Sequence, residues 1–304
     1  LAPPLPAPGQ RIQWGRLYGA ASALALASAA HRHPGLLVAV VEDVQAAVRL
    51  SAELGFFLGQ GAGGATEASL PVLGFPDWET LPYDVFSPLP ELVSERLLTL
   101  HRLPGLKRGV LVVPASTLLQ RLPPRDYVDG HSLVLALGER LDLDQTRARL
   151  EQAGYNCVSQ VIAHGEFAVR GSLLDVFPMG STEPYRIDLF DDEVESIRTF
   201  DPETQRTRDK VTRIRLLPAR EFPLDDQGVS AFRQRYRAEV EGDPNRSLIY
   251  RGVSEGRAPG GLEYYLPLFF ESTATLFDYL PEGALVAEAQ GVREAAAAFM
   301  ATVA

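Results

Sequence analysis

The sequence predicts an α/β protein in which a parallel sheet carries a second, largely antiparallel α+β domain. Two patterns carry that prediction. Residues 36–41, Leu-Leu-Val-Ala-Val-Val, and residues 110–113, Val-Leu-Val-Val, are continuous apolar runs suited to strands covered on both faces, and segments with helical apolar spacing lie between them. Residues 165–201 instead alternate with period two: Phe167 and Val169, then Leu174 and Val176, then Tyr185, Ile187 and Leu189. Turn chemistry at Gly171, at Pro178-Met179-Gly180-Ser181 and at Asp191-Asp192 divides that stretch into an antiparallel meander.

In chain order, a proline-rich leader precedes an alanine-rich helix over about residues 20–30, and His33-Pro34-Gly35 turns the chain into the first buried strand. A helix is predicted over 44–58, an extended stretch over 70–75, a helix over 91–102 and the second buried strand over 110–113. Glu42 and Asp43 read as a helix N-terminal pair complementing the dipole. From 131 the character changes. A strand over 133–137, a helix over 145–153 begun by Asp142-Leu143-Asp144 and stopped by Gly154, and a strand over 156–161 lead into the meander. Strands over 194–200 and 211–217 close a mixed sheet. Beyond it come a helix over 227–239, an apolar core stretch over 262–270, a strand pair at 277–280 and 284–286, and a helix from 293. The predicted domains are 1–130, 131–216 and 217–304.

The 304 residues carry a net charge of −10. Basic and acidic side chains number 10 and 11 in 1–130, 11 and 15 in 131–216, and 8 and 13 in 217–304. No third is positive, whereas a protein held to DNA by phosphate contacts needs a basic stripe. No apolar run is long enough to cross a bilayer, and the leader lacks the pattern of a secretory signal, so a soluble cytoplasmic protein is expected. Cys157 is the one cysteine, which excludes an internal disulfide; a small buried hydrophobe is its expected role.

Enzyme chemistry is not predicted. Asp188, Asp191, Asp192, Glu193 and Glu195 lie along one hairpin and alternate in direction, so they read as a solvated turn and not as a metal site. His164 near Glu166 has no nucleophile beside it, and His31 and His33 read as loop residues. Trp78, Tyr83 and Phe86 have the composition of a base-stacking platform. No basic residue lies between Glu67 and Arg96, however, and carboxylates are interleaved, so the three aromatics read as packing. The meander offers a different chemistry. Arg170, Arg186 and Phe190 are of the types that dominate protein–protein hot spots; the competing reading has the arginines neutralising neighbouring carboxylates and Phe190 in the core.

The pattern GEF-x-VRG, D-x-FP and F-x-DE in the meander resembles the second domain of the UvrB family of excision-repair proteins. DWETLPYD-x-FSP at 77–88, GVLVVP at 109–114 and DVFPMGS at 175–181 resemble, more particularly, the N-terminal UvrB-like module of the bacterial transcription-repair coupling factors, and the likeness runs over nearly the whole chain. The resemblance implies a degenerate RecA/P-loop-like domain with an inserted domain that docks onto UvrA, and a further small α/β domain. Arg170, Arg186 and Phe190 match the family's UvrA-contacting positions. The family's phosphate loop, G-x-x-x-x-G-K-[ST], falls at 18–23. Behind Gly19, Ser22 stands at the lysine position and Ala23 at the magnesium-hydroxyl position, so neither lysine nor metal ligand is present. UvrB's damage-probing hairpin has no room between Trp78 and the helix at Glu91.

No cofactor, metal or catalytic residue is therefore expected in this stretch. ATP and magnesium would belong to motor domains of the full-length family protein, whose motifs do not occur here, so the stretch reads as part of a longer chain. The implied function is recruitment of UvrA to stalled RNA polymerase. The implied partners are UvrA and the protein's own C-terminal domains, with RNA polymerase and DNA reached only through other domains and no membrane. Two rivals are an autoinhibitory clamp on the translocase and a UvrB-type ATP-dependent damage-loading helicase.

Overall fold

A computed structural model describes residues 2–59 and 69–303; Glu67, which opens the acidic stretch noted above, lies outside them. The strands are β1 (Leu36–Val41), β2 (Val72–Gly74), β3 (Gly109–Pro114), β4 (Leu133–Ala136), β5 (Asn156–Cys157), β6 (Glu166–Arg170), β7 (Leu173–Phe177), β8 (Tyr185–Phe190), β9 (Glu193–Phe200), β10 (Thr207–Val211), β11 (Arg213–Leu216) and β12 (Leu285–Glu288). Packing divides the chain into a first unit of residues 1–77, 102–120 and 275–304 and a second of residues 78–101 and 121–274.

The first unit holds a four-stranded parallel sheet in the order β12-β1-β3-β2. Every position of β1 and β3 is buried, as continuous apolar runs in a parallel sheet require. The Ala21–Arg32 and Val44–Phe57 helices supply Ala23, Leu26, Ala27 and Leu54 to a core completed by Leu37, Val41, Val110 and Val112. Asp43 caps the second helix by accepting from the Ala46 amide at 2.7 Å. The predicted strand pair near the end of the chain is corrected. Residues Leu276–Tyr279 form a helical turn, fixed by a capping box between Thr275 and Asp278. Only Leu285–Glu288 is a strand, and it pairs in parallel with β1. Three apolar residues around one Asp cannot separate strand from helix, and here the local cap decides.

The second unit contains a six-stranded sheet in the order β10-β9-β8-β7-β6-β5 and a two-stranded β11-β4 ribbon. All neighbours in the larger sheet are antiparallel except β5 and β6. The meander turns fall where the sequence places them, with Gly171 and Asp191 both in the left-handed region. Two expectations are corrected at the sheet's edges. The strand predicted over 156–161 is confined to Asn156 and Cys157, both exposed, so Cys157 is a surface thiol and not a core residue. The strand predicted over 211–217 breaks at Thr212, leaving β10 and β11 in different sheets.

Residues 78–101 pack into this second unit although they lie early in the chain. Their anchor is an ion pair with almost no solvent contact. Arg96 Nε donates to Glu221 Oε1 at 2.6 Å and Nη2 to Oε2 at 3.2 Å. Trp78 Nε1 donates to the same carboxylate at 3.2 Å, and the Arg96 guanidinium lies 4.7 Å from the Trp78 ring centre. Trp78 is buried as expected. Tyr83 is more than half exposed but sets its ring against those of Tyr264 and Tyr265, at 5.8 and 5.6 Å between centres, and Phe86 stands in solvent, so the reading of all three aromatics as packing holds for Trp78, holds in part for Tyr83 and fails for Phe86.

Candidate docking surface

The meander's alternation sorts its side chains onto two faces. Phe167, Leu174, Val176, Ile187, Leu189 and Ile197 enter the unit's main core. The opposite face presents a cross-strand row in which Ala168 opposes Asp175, Asp175 opposes Arg186, Arg186 opposes Arg198, and Arg198 opposes Lys210. Arg170 and Phe190 stand on this same face by the period of two in β6 and β8.

Asp175 organises the face. Its carboxylate is 1 % exposed and accepts from Arg186 Nε at 2.7 Å, from Arg186 Nη2 at 2.8 Å and from Arg170 Nη2. Arg186 Nη1 donates to the Gln205 carbonyl at 3.3 Å, and the guanidinium lies 5.0 Å from the Phe200 ring centre. The hydrogen bonds that Arg186 donates to Asp175 push the Arg186 pKa above its usual value against the opposing effect of burial, so the group keeps its charge. The two arginine side chains differ in access: 17 % for Arg186 and 48 % for Arg170. Phe190 is 71 % exposed.

The three sequence-predicted residues therefore share one face. The arginines do neutralise a neighbouring carboxylate, as the competing reading has it, but Phe190 stands in solvent and not in the core. Two residues escaped the sequence reading. Asp175 left a signal, a carboxylate inside the apolar strand Leu-Leu-Asp-Val-Phe, where an unpaired charge is not tolerated. Arg198 is half-buried, its Nε has no hydrogen-bond partner, and only the β8–β9 register places it beside Arg186.

Residues 133–222, which hold this surface, match the family model described as the UvrB interaction domain. The chain is 48 % identical over 274 residues to the transcription-repair-coupling factor of Haemophilus influenzae, covering 89 % of this chain and 23 % of that protein. It is 46 % identical over 296 residues to the protein of the same name from Escherichia coli, covering 96 % and 25 %.

The chain belongs to the transcription-repair-coupling factor family. A further family member, from Myxococcus xanthus, is 36 % identical over 278 residues, or 90 % of this chain and 23 % of that protein. The chain thus spans about a quarter of the length of the curated coupling factors it matches.

Elsewhere in this coupling-factor chain, the positions of the family's phosphate loop form the start of a helix. Gly19 lies in a left-handed turn, Ala20 caps the Ala21–Arg32 helix without a side-chain hydrogen bond, Ser22 is half-buried and Ala23 is fully buried. No strand leads into that turn among the described residues. Asp188 to Glu195 do not converge: among the described residues no group of three His, Cys, Asp or Glu side chains is placed to hold a metal ion. No helix among them is long and apolar enough to cross a membrane.

Proposed function

We propose that this chain is a protein-docking module of transcription-coupled nucleotide excision repair, which works in the cytoplasm and recruits UvrA to RNA polymerase stalled at a lesion. The observation that carries the reading is Phe190, a large apolar ring exposed on the same sheet face as two guanidinium groups that a buried carboxylate holds in place. A few such anchors supply most of an interface's affinity. Their division of labour follows from the geometry. Arg186 already gives its Nε–Nη2 edge to Asp175 and serves as a fixed, charged platform. Arg170, half in solvent, offers the accessible guanidinium edge to a partner carboxylate. Phe190 fills an apolar pocket on the partner. The module needs no nucleotide of its own on this reading, and any ATP-driven translocation would belong to other parts of the full-length protein.

The test is calorimetric titration of UvrA with the chain and its variants. Phe190→Ala and Arg170→Ala are each expected to weaken binding at least about tenfold; thermal melting should be unaltered in Phe190→Ala and slightly lowered in Arg170→Ala, which takes one of three guanidinium hydrogen bonds from Asp175. Undiminished binding by the well-folded double variant would remove this surface from consideration.

A further inference from the structure

Five large apolar side chains stand in solvent within nine residues: Leu81 at 67 % exposure, Tyr83 at 56 %, Val85 at 69 %, Phe86 at 67 % and Leu89 at 64 %. Apolar clustering of this density is what the surface of a monomer ordinarily avoids unless something binds there.

The stretch is fixed in this presentation. Tyr264 donates its hydroxyl proton to the Thr80 carbonyl at 2.8 Å, and Ser87 Oγ donates to Glu263 at 3.0 Å while accepting from the Gly261 amide at 3.3 Å. Gly260 and Gly261 approach so closely that a Cβ on them would sit 2.1 Å from the Val85 carbonyl oxygen and 1.8 Å from that of Asp84. Glu79 and Tyr83 adopt φ of +56° and +61°, a conformation costly for residues other than glycine and kept only where the surroundings enforce it. A cleft of about 340 Å³ runs along the ridge, lined by Trp78, Leu81, Phe86, Leu89 and Leu92 with Asp84 in its wall. The backbone is held, and the apolar groups are displayed on it.

Charge selects the occupant. From residue 78 to residue 95 there is no Lys, Arg or His, while Glu79, Asp84, Glu91 and Glu95 supply four carboxylates; Glu79, Glu91 and Glu95 are exposed. An acidic rim repels a phosphate backbone and disfavours a second copy of the same ridge. It favours an apolar partner edged with cations. We propose that residues 81–89 form a second docking surface, distinct from the Arg170–Arg186–Phe190 face, whose partner is a protein helix carrying apolar side chains flanked by lysine or arginine. Leucine-type anchors would enter the cleft along the ridge, and the flanking cations would meet Glu79, Asp84 and Glu91, as in other helix-in-groove recognition.

The probe is a labelled 14-residue leucine–lysine amphipathic helix, with a leucine–glutamate helix and a serine–lysine peptide of equal charge as controls, read by fluorescence anisotropy. Saturable binding is expected for the leucine–lysine helix alone, with an unchanged constant in Arg170→Ala. Phe86→Asp and Val85→Asp, both at exposed positions, are expected to weaken it at least about tenfold, although each adds a negative charge that would tighten a purely electrostatic attraction. Equal binding of the serine–lysine peptide, or undiminished binding by Phe86→Asp, overturns the proposal. So does a dimer seen by sedimentation that Phe86→Asp dissolves, which would assign the ridge to a second copy, or displacement of the helix by single-stranded DNA.

Discussion

Asp175 shows how much one buried carboxylate decides. It receives three guanidinium hydrogen bonds from two residues that the sequence separates by sixteen positions. Its replacement by Asn leaves Arg186 half-buried beside Arg198 without its paired carboxylate. We expect Asp175→Asn to cost about 2 kcal/mol in urea denaturation, in the range of charge-assisted hydrogen bonds lost from a buried site, and to weaken the UvrA docking proposed above through misplaced arginines. Phe190→Ala removes a ring that is 71 % exposed and is expected to change stability by less than about 0.5 kcal/mol. The contrast separates the residue that builds the surface from the one that would touch a partner. At this scale the sequence is half legible. Alternation in β6 and β8 places Arg170, Arg186 and Phe190 on the face away from Ile187 and Leu189. That both arginines share Asp175 depends on hairpin register, which turn composition alone does not fix to the residue.

Among elements, the helix Pro90–Arg102 is fastened by its one buried cation. Arg96→Ala leaves Glu221 charged, desolvated and short of its partner, and is expected to cost about 3–5 kcal/mol. The double replacement Arg96→Met with Glu221→Leu is expected to cost much less than the sum of the single changes, measured as a coupling energy in a double-mutant cycle. Glu263, which holds Ser87, gives a pH-dependent counterpart. Burial, the largest influence, pushes its carboxyl pKa above the ordinary 4.5, partly offset by the Ser87 hydrogen bond. A carboxyl whose folded pKa exceeds its unfolded value disfavours folding once it ionises, so the penalty grows as pH rises from about 4.5 through the raised value. Glu263→Gln retains an acceptor for Ser87. Its melting temperature is expected to match or exceed that of the unmodified chain at pH 7.5 and to lose that advantage at pH 4. Element type was legible wherever a long apolar period or a capping residue marked it, as at β1, β3, Asp43 and Asp142. It failed at Leu276–Tyr279, where a side-chain cap outweighed three apolar residues, and at β5, where an edge strand is too short for its burial to show a pattern.

For the molecule as a whole, the net charge of −10 argues that nucleic acid is not held by this chain alone. Titration with duplex DNA at 150 mM salt is expected to give no saturable binding below the non-specific range of about 10⁻⁴–10⁻⁶ M. The alternation of buried strands with helices made the parallel sheet legible, and the period of two made the meander legible. That residues 78–101 pack with 121–274 was not, because it rests on Arg96, Glu221 and Trp78 meeting across more than a hundred residues. The first unit, meanwhile, is assembled from both ends of the chain: β1 is flanked by β3 on one side and by β12 on the other. During synthesis β1 leaves the ribosome some 240 residues ahead of β12, a delay of roughly 12–50 s at ordinary elongation rates. The interior segment that bears the Asp175 face is complete well before then. A nascent chain arrested short of residue 285 should accordingly expose one bare flank of an all-apolar strand, and it is at that stage that a chaperone would find its purchase.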